Sequence, residues 1–197
     1  MSDTINANTF VGAPHIGGML FSAPAGTPLP EDATSPLHED FAMLGALSKE
    51  GINASGEPAV EPILDAGGRN IRNIVGEDPL TYSLTFLEAL NIFVLRELRG
   101  EANVIVSSDG KTIRVNGVEG FLSPARVYVI ELADYPVRKR IVIKLAQAMR
   151  TGDVTYNSEA PGEVYETVLN VLSATDGTDI RMYEITQLDG MLPITAA

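Results

Sequence analysis

The sequence contains no cysteine and no tryptophan, and only two histidines among its 197 residues. Without cysteine there are no disulfides, no thiolate metal ligands and no thiol nucleophile. The two imidazoles, His15 and His38, cannot build a metal centre, which ordinarily takes three or four ligands. His38-Glu39-Asp40 is a contiguous tripeptide in a proline-rich stretch and reads as a solvated polar segment. There is no Gly-x-Ser-x-Gly elbow for a serine nucleophile. Gly67-Gly68 lacks the lysine and the spacing of a phosphate loop. Carboxylate neighbours such as Glu77-Asp78, or Glu163 with Glu166, are what any acidic chain contains and do not specify acid–base chemistry. Aromatics make up 6% of the residues, which is thin material for a carbohydrate-stacking platform. No apolar run approaches the length of a membrane-spanning helix, and MSDTINANTF has neither the basic start nor the apolar core of a secretory signal. The expectation is a protein that is not an enzyme, with no cofactor, no metal and no membrane partner.

Positive charge is also scarce and unevenly placed. The formal net charge is −12, the wrong sign for general nucleic-acid binding, which rewards Lys and Arg. Residues 1–48 hold no Lys or Arg and carry −5; residues 49–150 balance to zero; residues 151–197 carry −7, with Arg181 their only cation. Acidic ends keep a protein soluble, and they can also build a functional surface. The one basic cluster is Arg138-Lys139-Arg140 with Lys144 and Arg150. It reads as a solvated strand face or, with Arg138, Arg140 and Lys144 as candidates, as a partner for the acidic ends of neighbouring copies.

What the chain does have is proline, glycine and period-two alternation. Residues 1–40 carry five of the twelve prolines, which excludes helix interior and central strand over much of that length. They are expected to form an extended arm with one short strand in His15–Ala23, and residues 41–197 a single domain. Leu44–Ile52, Ala59–Leu64 and Asn70–Val75 are strand candidates, and the glycines and prolines of 51–70 predict a long loop or hairpin. Leu80–Leu87 alternates, with Tyr82, Leu84 and Phe86 on one face. Leu87, Leu90, Val94, Leu95 and Leu98 recur at helical spacing before Gly100 and predict a helix over 88–99. Asp109-Gly110 marks a hairpin between Val104–Ser107 and Thr112–Val115. Strands are expected at Arg126–Leu132, within Pro136–Gln147 (Ile141, Ile143 and Leu145 sharing a face), at Glu163–Leu172 and at Ile180–Thr186. The fold class is mainly β: antiparallel, sandwich- or barrel-like, with one flanking helix and an extended N-terminal arm.

Val11-Gly12-Ala13-Pro14-His15-Ile16-Gly17-Gly18-Met19-Leu20-Phe21-Ser22-Ala23-Pro24-Ala25-Gly26-Thr27-Pro28-Leu29-Pro30 resembles the start of the major tail tube proteins of long-tailed, non-contractile (siphovirus-type) bacteriophages. The stretch from Phe41 to Ile52, Gly152-Asp153-Val154-Thr155-Tyr156 and Tyr165-Glu166-Thr167-Val168-Leu169 are similar to later parts of that family. The resemblance implies a structural virion protein made in the host bacterial cytoplasm and located in the tail. Six subunits would close a ring, and stacked rings would form a tube that conducts double-stranded DNA during ejection. It implies tape-measure, tail-terminator and tail-tip proteins as partners. It also implies that the 51–70 loop reaches the next ring (candidates Gly56, Pro58, Gly67, Gly68 and Arg69) and that the arm clamps a neighbour (Phe10, Val11, Pro14 and Leu29). Acids lining the lumen would repel DNA; the candidates are Glu50, Glu61, Asp65, Glu163, Glu166, Asp179 and Glu184. A monomeric β-sandwich binding module, a carboxylate hydrolase and another tube or capsid component are the competing readings.

Overall fold

A computed structural model describes residues 10–14, 18–76, 78–118, 121–154, 163–173 and 176–188. The strands are β1 (Ala13–Pro14), β2 (Leu20–Pro24), β3 (Ala42–Met43), β4 (Asn53–Gly56), β5 (Val60–Leu64), β6 (Asn70–Val75), β7 (Leu80–Phe86), β8 (Val104–Val106), β9 (Ile113–Val115), β10 (Arg126–Asp134), β11 (Val137–Arg150), β12 (Tyr165–Val171) and β13 (Met182–Leu188). The helix α1 (Ile92–Arg99) lies between β7 and β8. The protein is mainly β, with antiparallel sheets and a sandwich-like fold. Nine strands form one sheet in the order β3-β2-β10-β11-β12-β7-β4, with β1 beside β10 and β13 beside β11; β5–β6 and β8–β9 are separate ribbons.

The long strand β11 organises this sheet. Arg126 pairs with Ala146 but Tyr128 with Ile143, so β11 carries one extra residue opposite Val127. Such a bulge bends its strand and sharpens the twist. Before the bulge β11 pairs with β13, and after it with β12. The two halves of the sheet therefore close on one core. Leu20, Tyr128, Ile130 and Ile143 from one half meet Tyr82, Leu84, Phe86, Leu169 and Val171 from the other. The bulge also reverses side-chain parity: Ile143 faces the core before it, Ala146 and Ala148 after it. The expectation that Ile141, Ile143 and Leu145 share a face fails at Leu145 for this reason.

Helix α1 closes the core with Val94, Leu95 and Leu98. It begins at Ile92 rather than at residue 88, because Asn91 caps it: the Asn91 side chain accepts the Phe93 N–H at 3.0 Å. Leu87 and Leu90 fall in the preceding turn and are exposed, Leu90 to 80%. Nor do residues 44–52 form a strand. Ala46 donates its N–H to the Glu88 carboxylate at 2.7 Å. Gly45 turns the chain at φ 75°, where a Cβ would lie 2.4 Å from that carboxylate. Only Ala42–Met43 pairs with β2, and Leu47 makes a single bridge to Phe86.

Two buried charges fix the layers on either side of the β2-β10-β11 sheet. On the core side Glu97 of α1 is 3% exposed. It accepts hydrogen bonds from the Tyr128 hydroxyl and from Ser22 Oγ, and lies 3.1 Å from Arg126 Nε. Burial raises its carboxyl above the usual range, opposed by those partners, Tyr128 foremost; burial and the Glu97 charge raise the Tyr128 hydroxyl well above its own. On the other side Val127, Val129 and Val142 are fully buried beneath residues 24–37. Arg140, 4% exposed, donates to the carbonyl oxygens of Asp32 (2.7 Å) and Ser35 (3.1 Å) and pairs with Glu131. The Tyr183 hydroxyl donates to the Pro30 carbonyl at 3.0 Å. The prolines thus produce a strap over the protein's own sheet. Residues 20–40 belong to the domain, since β2 is an interior strand of its sheet; His15, Ile16 and Gly17 of the expected first strand lie outside the described residues.

Replacing Arg140 by Met is expected to lower unfolding stability by about 3 kcal/mol, the scale of breaking a buried charged network. Arg138→Met, exposed on the same strand, should stay within about 0.5 kcal/mol; urea denaturation compares them. For Glu97 the folded pKa lies above the unfolded one. Its contribution is therefore fully present below the ordinary value of 4.5 and is lost as pH rises through the raised folded value. Wild-type stability measured relative to Glu97→Gln should fall as pH rises above 4.5. A pH-independent difference would mean that the carboxyl is not perturbed.

Candidate assembly surfaces

The β5–β6 hairpin stands apart from the nine-stranded sheet, and every residue of both strands is exposed. Its turn is built by Asp65, whose carboxylate accepts the N–H groups of Gly67 (2.8 Å) and Arg69 (2.9 Å) and the Arg69 side-chain Nε–H (2.8 Å). These bonds hold the Asp65 carboxyl below its usual range, the Arg69 backbone contact contributing most. Pairing of Val60 with Val75 and Pro62 with Asn73 puts Val60, Pro62 and Val75 on one face, which the bulge at Ile71 extends. Val60, Leu64, Ile71 and Val75 are each more than half exposed. Water on both sides of a two-stranded ribbon leaves it marginal by itself, and an apolar face of this kind is a candidate interaction surface. The expected excursion is thus an ordered hairpin that starts at residue 60 and runs to 75. Gly56 ends β4, Pro58 comes two residues later, and Gly67, Gly68 and Arg69 form the hairpin tip.

The acidic candidates do not converge. Glu50 and Glu166 line one shallow groove with Asn53, Ser83 and Thr85. That groove opens on the outer face of β4-β7-β12, where the alternation leaves Ser, Thr and Asn beside Glu166. Glu61 and Asp65 are on the hairpin. Glu163 accepts the Tyr165 hydroxyl at 2.6 Å. Glu184 is ion-paired with Lys139 at 2.5 Å, and Asp179 is exposed before β13.

The basic candidates divide too. Arg140 is occupied by the strap, and Lys144 by Asp176 (2.8 Å) and Thr178 (3.1 Å); both are withdrawn from contacts with a neighbour. Lys144, with the Thr178 hydroxyl and backbone N–H, holds the Asp176 carboxyl well below the ordinary carboxylate range. Arg138 is exposed and, among the described residues, has no ion pair. The arm candidates run along their own subunit. Val11 donates its N–H to Asp134 at 2.8 Å, Ala13–Pro14 pairs with β10, and Leu29 is half-buried in the strap. Of these side chains Val11, 73% exposed, is open to a neighbour.

Two features carry no signal in the sequence pattern. Glu97 reads there as one more charge on an amphipathic helix. A shallow apolar groove lined by Val118, Phe121, Leu122 and Met149 draws on segments without a common periodicity, with Val118 and Leu122 at least half exposed. Among the described residues no group of three His, Asp or Glu side chains is placed to hold a metal, and no helix is long and apolar enough to cross a membrane. Comparison with protein-family models and with curated proteins gave no match.

Replacing residues 60–75 by a short Gly-Ser turn should leave the domain folded, with its thermal midpoint nearly unchanged, because the hairpin strands contribute no buried side chain. Scanning calorimetry of the variant measures this, and cooperative loss of the whole fold would contradict it.

Proposed function

We propose that the protein is a structural subunit that polymerises with itself into a hollow tail tube. Hexameric rings stack in the virion tail, and the lumen conducts double-stranded DNA. The observation that carries the reading is the β5–β6 hairpin, an ordered ribbon whose apolar residues find no cover within the subunit. Such a face calls for a partner, and in a homopolymer every copy offers one. Two further features support it. Strands β4 and β13 each pair on one side only, and edges of this kind are satisfied when neighbouring subunits extend the sheet or close it into a barrel. The outer face of β4-β7-β12 combines the neutral hydroxyls and amides of Asn53, Ser55, Thr81, Ser83, Thr85 and Asn170 with Glu50 and Glu166, and the exposed Lys49 beside it is ion-paired with Glu50 at 4.0 Å. A wall with more acids than cations gives DNA phosphates little to bind. The role is mechanical, so the protein needs no cofactor. The partners are other copies of itself and the tape-measure, tail-terminator and tail-tip proteins.

Purified protein examined by negative-stain electron microscopy over a concentration series should show rings or hollow tubes, and the hairpin-replaced variant should not. Glu50→Lys and Glu166→Lys in assembled particles should slow DNA ejection at low salt, with the effect fading as salt screens the attraction. Ejection kinetics unchanged at low salt would remove these two acids from the lumen.

A further inference from the structure

Asn116-Gly117, just beyond β9, is the only Asn-Gly step in the sequence. The other asparagines among the described residues precede Ala, Ile or Val. The distinction is chemical. The side-chain amide carbon of an asparagine and the backbone nitrogen of the next residue can close a five-membered ring. A side chain on that next residue crowds the approach, whereas glycine leaves it open and lets the backbone turn into it. The local structure adds three favourable conditions. Gly117 is exposed, and among the described residues no acceptor holds its N–H. An added Cβ there would meet nothing within 4 Å, so the surrounding space is open. The Arg114 Nε–H donates to Asn116 Oδ1 at 3.1 Å. A guanidinium on that oxygen draws electrons from the amide carbon and already stands where negative charge develops as the nitrogen adds.

We propose that Asn116 is a site of spontaneous covalent modification, converted through a cyclic imide to aspartate and isoaspartate with assistance from Arg114. The inference does not rest on the assembly reading above. The Gly117 nitrogen gives up its proton to solvent and bonds to the Asn116 side-chain carbon. The carbon–nitrogen bond of the side-chain amide then breaks, and ammonia leaves with a proton from solvent. Water next opens the imide at either carbonyl. Opening at one gives aspartate; opening at the other gives isoaspartate, whose main chain runs through the former side chain. The two Asp-Gly steps of the described residues are held differently. Asp109 accepts from Ser107 Oγ and the Lys111 N–H, and Asp176 from Lys144 and Thr178. These bonds keep both carboxyls ionised, and a carboxylate is a poor electrophile. Modification of Asn116 puts a new negative charge beside Arg114 at the end of β9. The isoaspartate form also adds one methylene to the main chain between two anchors. One is the Asn116 N–H on the Asn103 carbonyl at 2.9 Å, the other the Ser123 hydroxyl on the Ala148 carbonyl. That span carries Val118, Phe121 and Leu122, so the longer backbone displaces the apolar groove they line.

The test is to incubate the purified protein for weeks at neutral pH, digest it and follow the peptides by mass spectrometry. Fragment ions should place the mass gain of an amide-to-acid exchange at residue 116 ahead of every other asparagine. Electron-transfer fragmentation should then separate isoaspartate from aspartate. Gly117→Ala, which the open space around Gly117 accommodates, should slow the change about tenfold, equivalent to about 1.4 kcal/mol of barrier. Arg114→Gln should slow it severalfold in the folded protein and leave the rate in urea unchanged, a split that a purely local sequence effect does not produce. Both variants are checked for native circular dichroism. Wild-type protein that keeps its Asn116 amide while the urea-unfolded chain loses it would overturn the proposal, because the fold would then protect the site. Gly117→Ala converting as fast as wild type would overturn the cyclic route, and equal folded-state rates for wild type and Arg114→Gln would overturn the assistance from Arg114.

Discussion

Every layer of this protein depends on one strand belonging to two sheet halves. β11 is long enough to pair with β10 along one edge and with β13 and then β12 along the other, and the extra residue opposite Val127 lets it bend between them. Without that bend the sheet would stay open, and Tyr82, Leu84 and Phe86 would have nothing to pack against. With it, one continuous core forms beneath α1. The parity reversal at the bulge keeps Ile143 and Ala146 on the same side although three positions separate them.

The charged groups then discriminate between the faces that the bend creates. Glu97 ties α1 to β2 and β10 on the core side, and Arg140 ties the strap to β10 and β11 on the other. Each side chain sits among partners supplied by distant parts of the chain, so each is satisfied in one arrangement of layers only. Replacing them with apolar residues would leave Tyr128, or the carbonyls of Asp32 and Ser35, buried without their present partners. That penalty favours a single packing of helix and strap over sliding alternatives. The strap's prolines suit this role: they keep the segment extended and remove N–H donors that a nonhelical, nonsheet segment would otherwise have to satisfy.

Period and turn chemistry act within a few residues, so the features they govern are legible in the sequence. The alternation of Leu80–Phe86, the Asp109-Gly110 hairpin and the antiparallel class belong to this group. Other features are nonlocal and need the fold. Nothing in Arg138-Lys139-Arg140 distinguishes the middle cation, which is buried, from its neighbours; the difference comes from a strap more than a hundred positions away. The helical stripe alone misplaces the start of α1, because Leu87 and Leu90 match it while Asn91 carries the stronger signal, a cap. The bulge in β11 leaves no mark in a sequence whose flanking residues are all compatible with a strand. The glycines and prolines around 51–70 announce an excursion, yet its order as a hairpin arises from cross-strand pairs and the Asp65 turn.

The contrast between the hairpin and the rest of the chain separates folding from assembly. Outside the hairpin the domain gathers most of its apolar residues into one core and holds its buried charges, Glu97 and Arg140, among partners from its own chain. Ordering the backbone of the hairpin costs about 1–2 kcal/mol per residue, and its solvated cross-strand contacts return only a fraction of that. The remaining driving force lies in apolar area that only another molecule can cover. The net charge of −12 makes like molecules repel at long range, so any association through this face has to work against that repulsion.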